Sequence, residues 1–424
     1  MKRPTPPVQR TLVGALDVGS SKICALIAEP GEDGTLNILG TGQRASRGVK
    51  RGFISDMAAC EAAIREAVEQ AERIAATRIE QVYVGFSAGG MVSDVANVEV
   101  AIGGRQIGQS DIDALLDAGR DAIDPKDRMI LHAVPAFYTL DGLEGVRKPL
   151  GLHADKLAVD IHLVAAEPAP AANLDLCVRS AHLGVEAIVA SPVATGKSCL
   201  SEEERELGVA LVELGAGVTN VSVFAVGTLA GLKSIPMGAG DITDDIASTF
   251  GTRRAEAERI KCFYGSASTT PRDNHDMIEL APIAGGGDGV ESARITRAEL
   301  VAVIRRRLDL LTGEIAAALK QLGFSGPLGR QVVITGGGAE LKGVADYLQG
   351  ALGRTVRVGR PRLSGLPEAH SGPAFATLAG LAQFAGSDEL DLRARMVRPR
   401  PTTGGRAASG SVLQRLITAF RSGY

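Results

Sequence analysis

The sequence predicts an α/β protein made from a duplicated unit. Two domains face each other across a cleft, a smaller α+β piece is inserted in the first, and an amphipathic helix closes the chain. Three observations predict this. The stretch Ala15–Leu26 places Asp17, the turn Gly19-Ser20-Ser21 and Lys22 between two apolar, strand-like runs. The stretch Leu211–Phe224 repeats the layout, with Glu213 on Asp17, Gly215 on Gly19 and Gly217 on Ser21. Far downstream a third apolar run, Gln331–Thr335, leads straight into Gly336-Gly337-Gly338. One such hairpin is weak by itself, because a polar β-turn is an equally ordinary reading. The recurrence of the whole unit makes the pattern specific.

The totals agree with several domains. The chain has 424 residues, more than a single core usually holds, with 52 glycines and no Trp. A formal net charge of −3 gives no reason to expect a nucleic-acid partner. Cys24, Cys60, Cys177, Cys199 and Cys262 lie far apart without a Cys-x-x-Cys pair, which fits a reducing compartment and argues against a disulfide or zinc scaffold. Residues Met1–Arg10 are basic and proline-rich without an apolar core, unlike a signal peptide. The apolar stretch Gly208–Leu232 is long enough for a membrane span, but Glu213, Asn220 and its glycines favour two buried strands and a turn.

In chain order, Thr35–Gly40 reads as a strand and Thr41–Gly52 as a loop. Ser55 or Asp56 caps a helix carrying Ile64, Val68, Ala71 and Ala75 on one face, and Gln81–Phe86 is a strand. From Ser87 to Ala165 the texture changes. Val92–Ile102 alternates, Ser110 opens a short helix, Arg128–Leu140 and Lys156–Val164 read as strands, and Gly142–Gly151 as a loop. A helix Asn173–His182, a strand Val185–Ala190, a helix Pro192–Leu200 and a charged connector Ser201–Glu206 follow. After the second hairpin come a strand Thr228–Ile235, a helix Asp241–Phe250 and a helical stretch Arg253–Phe263. Gly265–Arg294 reads as loop and short strands. Thr296 and Glu299 form a capping box for a long helix ending near Gln321. Helices Glu340–Leu352 and Pro373–Ala385 flank a strand, Thr355–Gly359. Asp388–Gly410, rich in Arg, Pro and Gly, reads as a flexible tether. In the last stretch, Ser411–Tyr424, Leu413, Leu416, Ile417 and Phe420 share one helical face flanked by Arg415 and Arg421.

These pieces can hold a polyphosphate. Backbone N–H groups of a glycine turn cradle an anion. Ser20, Ser21 and Lys22 would hold one side and Gly215–Thr219 the other. Asp17 and Glu213 would reach Mg²⁺ largely through its waters. Gly336–Gly338 would let the backbone pass flat against a base or ribose. The C-terminal helix has two readings, docking on a protein surface or lying in a membrane interface. Its arginine-rich tether favours the second, at roughly 1 kcal/mol per Arg near anionic lipid.

In this order, the two phosphate hairpins and the strand–Gly-Gly-Gly motif resemble the actin, sugar-kinase and Hsp70 ATPase superfamily. More closely, the chain resembles the FtsA family of bacterial actin-like cell-division proteins over nearly its whole length. The residues that carry this are Leu16–Lys22, Ser46-Arg47-Gly48, Leu131–Pro135, Glu204–Val209, Ala247–Gly251 and Ile334–Gly338, with the terminal helix after its tether. The resemblance implies ATP and Mg²⁺ as ligands. It implies Asp17, Gly19, Ser20, Ser21 and Lys22 in a first phosphate motif, and Gly215, Ala216, Gly217, Val218 and Thr219 in a second. Glu258 and Lys261 would contact ribose and adenine, and Gly336, Gly337 and Gly338 the adenosine; without the family, Glu258 and Lys261 would read as a surface ion pair.

It further implies subdomain IA at 11–86, 166–205 and 370–386, an inserted IC at 87–165, IIA at 206–243 and 330–369, and IIB at 244–329. A linker at 387–410 and a membrane-targeting helix at 411–424 would follow. The implied function is a self-associating adaptor. It would tether the tubulin-like division-ring protein, FtsZ, to the cytoplasmic face of the inner membrane at the division site. Other division proteins would bind the inserted subdomain, and Leu413, Arg415, Leu416, Ile417 and Phe420 would meet lipid. The alternatives are a small-molecule kinase of the same fold and a pilus-assembly actin homologue. The second phosphate motif departs from the family, with Glu213 for Asp, Ala216 for the middle Gly and Val218 for a hydroxyl residue that Thr219 would replace. No catalytic base is assigned, although Glu167 lies near the expected place, so at most weak ATP hydrolysis is expected.

Overall fold

The structure, a computed structural model, describes residues 12–31, 35–281, 293–324, 331–387 and 390–395. The first unit opens with an antiparallel meander, β1 (Val13–Val18), β2 (Lys22–Pro30) and β3 (Leu36–Ala45). Alternation sends its side chains to opposite faces, Leu16, Ile23, Ala25 and Ile27 to one core and Val13, Ala15, Cys24 and Leu26 to another. A small hairpin, β4 (Val49–Lys50) and β5 (Phe53–Ile54), leads to α1 (Met57–Ala75), capped where Asp56 accepts from the Ala59 N–H at 3.0 Å. Then β6 (Gln81–Phe86) pairs parallel to β1.

The inserted piece comprises β7 (Val92–Ala101), α2 (Gln109–Ala122), β8 (Met129–Leu140), β9 (Leu143–Val146) and β10 (Lys156–Ala166). The expected loop at 142–151 contains β9. The left-handed Asp141 and Gly142 (φ 48° and 89°) make the tight turn that pairs β9 with β8.

The chain returns through α3 (Pro168–Ser180), β11 (Gly184–Ala190), α4 (Ser191–Cys199) and α5 (Glu202–Leu207). Helix α3 starts five residues before the expected Asn173, because Pro168 and Pro170 suit a first turn whose N–H groups have no partner in any case. The connector expected at 201–206 is a helix, capped by the reciprocal bonds of Ser201 and Glu204.

The second unit repeats the first. It contains β12 (Val209–Leu214), β13 (Thr219–Ala225), β14 (Thr228–Ile235), α6 (Ala239–Thr249) and α7 (Arg254–Tyr264). Next come β15 (Met277–Glu279), β16 (Arg294–Thr296) and α8 (Arg297–Gln321), then β17 (Gln331–Thr335), α9 (Val344–Leu352), β18 (Thr355–Val358) and α10 (Ala376–Ala385). The apolar run 208–232 is therefore strand and turn, as expected. Helix α9 begins at Val344 rather than Glu340, because Gly343 sits at φ 75°, outside the helical region.

Strand order states the duplication directly. The first sheet runs β11-β6-β1-β2-β3, and the second begins β18-β17-β12-β13-β14, each an antiparallel meander with two parallel strands on its first member. The second sheet continues through β7-β10-β8-β9 of the inserted piece, joined at one pair, Lys233 with Val92.

Part of the expected tether is not free. Leu392 is fully buried in the core of the inserted piece. Asp391 accepts from the Ala133 N–H at 3.1 Å and lies 3.3 Å from His132, and Arg393 donates to the Ile188 carbonyl at 2.9 Å. This strap fastens the chain across β8 and β11. The expected linker beyond 395 and the helix with Leu413, Arg415, Leu416, Ile417 and Phe420 lie outside the described residues.

Candidate functional site

The two hairpins share one register. Asp17 faces Cys24 and Val18 faces Ile23, as Glu213 faces Asn220 and Leu214 faces Thr219. One bond closes each turn, from Gly19 N–H to the Lys22 carbonyl and from Gly215 N–H to the Val218 carbonyl, both 3.0 Å. Glycine is needed at both, since a Cβ would come 2.9 Å from the Lys22 oxygen and 2.6 Å from that of Val218.

What the turns leave uncommitted defines their chemistry. The N–H groups of Ser20, Ser21, Ala216, Gly217 and Val218 donate to no acceptor among the described residues. Behind the second turn, Ala239 and Gly240 at the start of α6 donate to the carbonyls of Gly215 and Ala216 at 2.9 and 2.7 Å. The carbonyls are thus bonded to the helix while the donors stay available, the arrangement of an anion nest. The two tips touch. A Cβ on Gly217 would lie 2.9 Å from Arg51 Cα and 3.1 Å from Ser20 Oγ, and Ser20 Oγ accepts from the Gly52 N–H at 3.0 Å.

The two acids differ. No group among the described residues donates a hydrogen bond to Asp17, and burial and then the charge of Glu213 push it up to about 7, against the pull of Lys22. A carboxylate raised by burial and a like charge, with no donor of its own, suits a cation. Glu213, 8 % exposed, is fully engaged. Its Oε1 accepts from Thr377 at 2.5 Å and Thr195 at 3.2 Å, and its Oε2 from Asn220 at 2.9 Å. Thr195 on α4 and Thr377 on α10 belong to the first unit, where Leu378, Leu381 and Ala382 of α10 share a core with Ala194 of α4 and Val13 and Ala15 of β1. The longer acid thus reaches across the molecule and fastens the two units together.

Lys22 shares the Asp17 face of the sheet, its Nζ 3.2 Å above the Phe375 ring. Burial lowers its ammonium below the ordinary value, opposed by nearby Asp17 and Glu340. Gly336 and Gly338 press against the end of β12, next to the second turn, where Cβ atoms would meet the Leu214 oxygen at 2.6 and 3.0 Å. Gly337 has room, with the Ala374 Cβ 3.8 Å away. Thr219 is fully buried and its hydroxyl donates to the Met237 carbonyl at 2.8 Å, so it does not replace the hydroxyl missing at Val218.

Glu258 and Lys261 pair at 2.7 Å, and Lys261 also donates to the Ala239 carbonyl and the Thr243 hydroxyl at 3.2 and 2.8 Å. They lie behind the second hairpin at the start of α6, engaged with one another. Glu167 precedes α3, beside Gly90. Sequence reasoning missed Thr195, Thr377, Arg51 and Asp241. Only Arg51 had a local sign, the glycines at 48 and 52 that bracket its turn.

A family model described as "Cell division protein FtsA" matches residues 210–380, and one described as "SHS2 domain inserted in FTSA" matches 89–165. A curated cell division protein FtsA of Agrobacterium fabrum is 38 % identical over 411 residues, 94 % of this chain and 93 % of that protein. The chain belongs to the FtsA family. The Escherichia coli (strain K12) FtsA is 30 % identical over 98 % of this chain and 99 % of its own length. Among solved structures, a chain of the PilM–PilN type IV pilus biogenesis complex aligns with TM-score 0.61 at 19 % identity, covering 89 % of this chain and 99 % of that one. MreB5 of Spiroplasma citri bound to ADP aligns with TM-score 0.51 at 13 % identity, covering 89 % and 96 %. The fold is actin-like, and this FtsA-family chain is an actin-like cell-division protein with an SHS2-type insertion.

Proposed function

We propose that this FtsA-family protein binds ATP with Mg²⁺ between its two hairpins and self-associates. In this reading it tethers the tubulin-like ring protein FtsZ to the cytoplasmic face of the inner membrane at the division site. The observation that carries the nucleotide reading is the set of five uncommitted N–H groups on paired turns beside Asp17, whose carboxylate receives no hydrogen bond. Ser20, Ser21 and Lys22 hold phosphate from one side and Ala216, Gly217 and Val218 from the other. Asp17 meets the hydrated cation, which neutralises phosphate charge when bound. Glu213 joins the units rather than the metal, and Gly336–Gly338 form the floor for the sugar and base.

No helix among the described residues is long and apolar enough to cross a membrane. Attachment in this reading comes from the C-terminal amphipathic helix, strengthened by multivalency when protomers assemble. The inserted piece, residues 87–165, is the face for other division proteins.

The test is calorimetric titration of the full chain with MgATP, beside Asp17→Ala, followed by co-sedimentation with anionic liposomes and FtsZ. Binding by the parent chain and its loss in the variant are expected, as is liposome binding that vanishes when Ser411–Tyr424 is deleted. Absence of ATP binding in the parent chain refutes the nucleotide reading. Liposome binding that survives the deletion refutes the tether.

A further inference from the structure

Arg51 stands at the tips of both hairpins. Its backbone is fixed by close packing. Gly48 and Gly52 on either side adopt φ +72° and +80°, and a Cβ on them would come 2.2 Å from the Asp56 oxygen and 1.9 Å from that of Ser87. Arg51 itself sits at φ 51°, in the left-handed region that non-glycine residues enter only under constraint. Its Cα touches Gly217, the tip of the second turn. The guanidinium reaches across to the second unit and bonds Asp241 Oδ1 at 3.0 Å, with the arginine side chain 50 % exposed and the aspartate 12 %.

Asp241 has a separate duty. Its other oxygen accepts from the Gly238 N–H at 2.7 Å and caps α6, whose first N–H groups hold the second turn. The cap therefore survives if the arginine leaves.

Resting on the nucleotide reading above, we propose that Arg51 senses the terminal phosphate: it exchanges its bond to Asp241 for one to the outermost phosphate of a bound nucleoside triphosphate. Placement supports this. Gly336 and Gly338 pack on Leu214, the last residue before the second turn, whereas Arg51 packs on Gly217 at the tip of that turn. A nucleotide with its sugar beside Leu214 points its last phosphate across the turn toward Gly217 and Arg51. A phosphate tail offers the planar, forked guanidinium more charge and more oxygens than one half-engaged carboxylate does. The first unit's hairpin then lets go of α6, so the seam between the units differs between triphosphate and diphosphate states.

The test compares ATP and ADP affinities of the full-length parent chain, Arg51→Ala and Asp241→Asn, with hydrogen exchange at the start of α6 without nucleotide. Arg51→Ala should lose about tenfold or more in ATP affinity, the scale of one charge-assisted hydrogen bond, and less than about twofold in ADP affinity. Asp241→Asn keeps a capping oxygen but releases the arginine, so it should bind ATP about threefold or more tighter than the parent. Exchange at Ala239 and Gly240 should rise in Arg51→Ala. Equal losses for ATP and ADP, or an unchanged ratio in both variants while the parent binds, overturn the role of Arg51 alone. A parent chain that binds neither nucleotide overturns the underlying reading as well.

Discussion

Replacing Thr377 by valine removes one hydroxyl and keeps the side-chain shape. Thr377 is 7 % exposed, and its Oγ1 lies 2.5 Å from Glu213 Oε1. Thr195 also approaches that oxygen, at 3.2 Å, but its single proton is shared with the Ser191 carbonyl at 2.8 Å. Thr377 is therefore the principal donor to Oε1. A hydrogen bond to a buried charge is worth about 1.5–3 kcal/mol, and the Thr195 proton can turn to compensate in part, so Thr377→Val should cost about 2 kcal/mol. For units of this size that lowers the melting temperature by about 4–8 °C. Thr195→Val should cost about 1 kcal/mol, because Thr377 remains. The double variant should exceed the sum, since neither hydroxyl is then left to cover Oε1. Thermal and urea unfolding of the four proteins measures each step. A Thr377→Val protein within about 0.5 kcal/mol of the parent, or an additive double variant, refutes the claim that Glu213 clamps the two units.

Two further predictions concern the inserted piece. Burial, then the charge of His132, hold His162 down at about 4 against the weaker pull of Asp94, and its Nε2 has no partner among the described residues. A folded value below the unfolded 6.5 means stability present above pH 6.5 and lost as pH falls toward 4, by about 3 kcal/mol at the limit. His162→Leu should flatten that fall, and pH-dependent urea unfolding of both proteins checks it. Asp391→Ala should remove the acceptor for the Ala133 N–H and the anchor of the strap, at a cost of about 1–3 kcal/mol. Hydrogen exchange along β8 should then quicken while the second unit is unchanged.

The local elements were largely legible. Alternating apolar residues around an acid and a glycine turn specify a hairpin, and Thr296 with Glu299 specifies a helix start, because neighbours in the chain make those bonds. The duplication was legible because the same local pattern occurs twice. Misreadings fell where a single backbone angle or cap decides the outcome. Gly343 delays α9, Asp141-Gly142 makes a hairpin of a loop, and Ser201 with Glu204 makes a helix of a connector.

The sequence by itself determined the two hairpins, their order and the strand that runs into Gly336–Gly338, and therefore the fold. Tertiary structure decided which groups around the hairpin turns are free. It bonded Glu213 to Thr377, 164 residues away, turned the Thr219 hydroxyl to a backbone carbonyl, and set Arg51 on Asp241 across 190 residues. Turn chemistry is set within a few neighbouring residues. Whether a carboxylate, a hydroxyl or a guanidinium remains uncommitted depends on partners that only the packing of one unit against the other supplies.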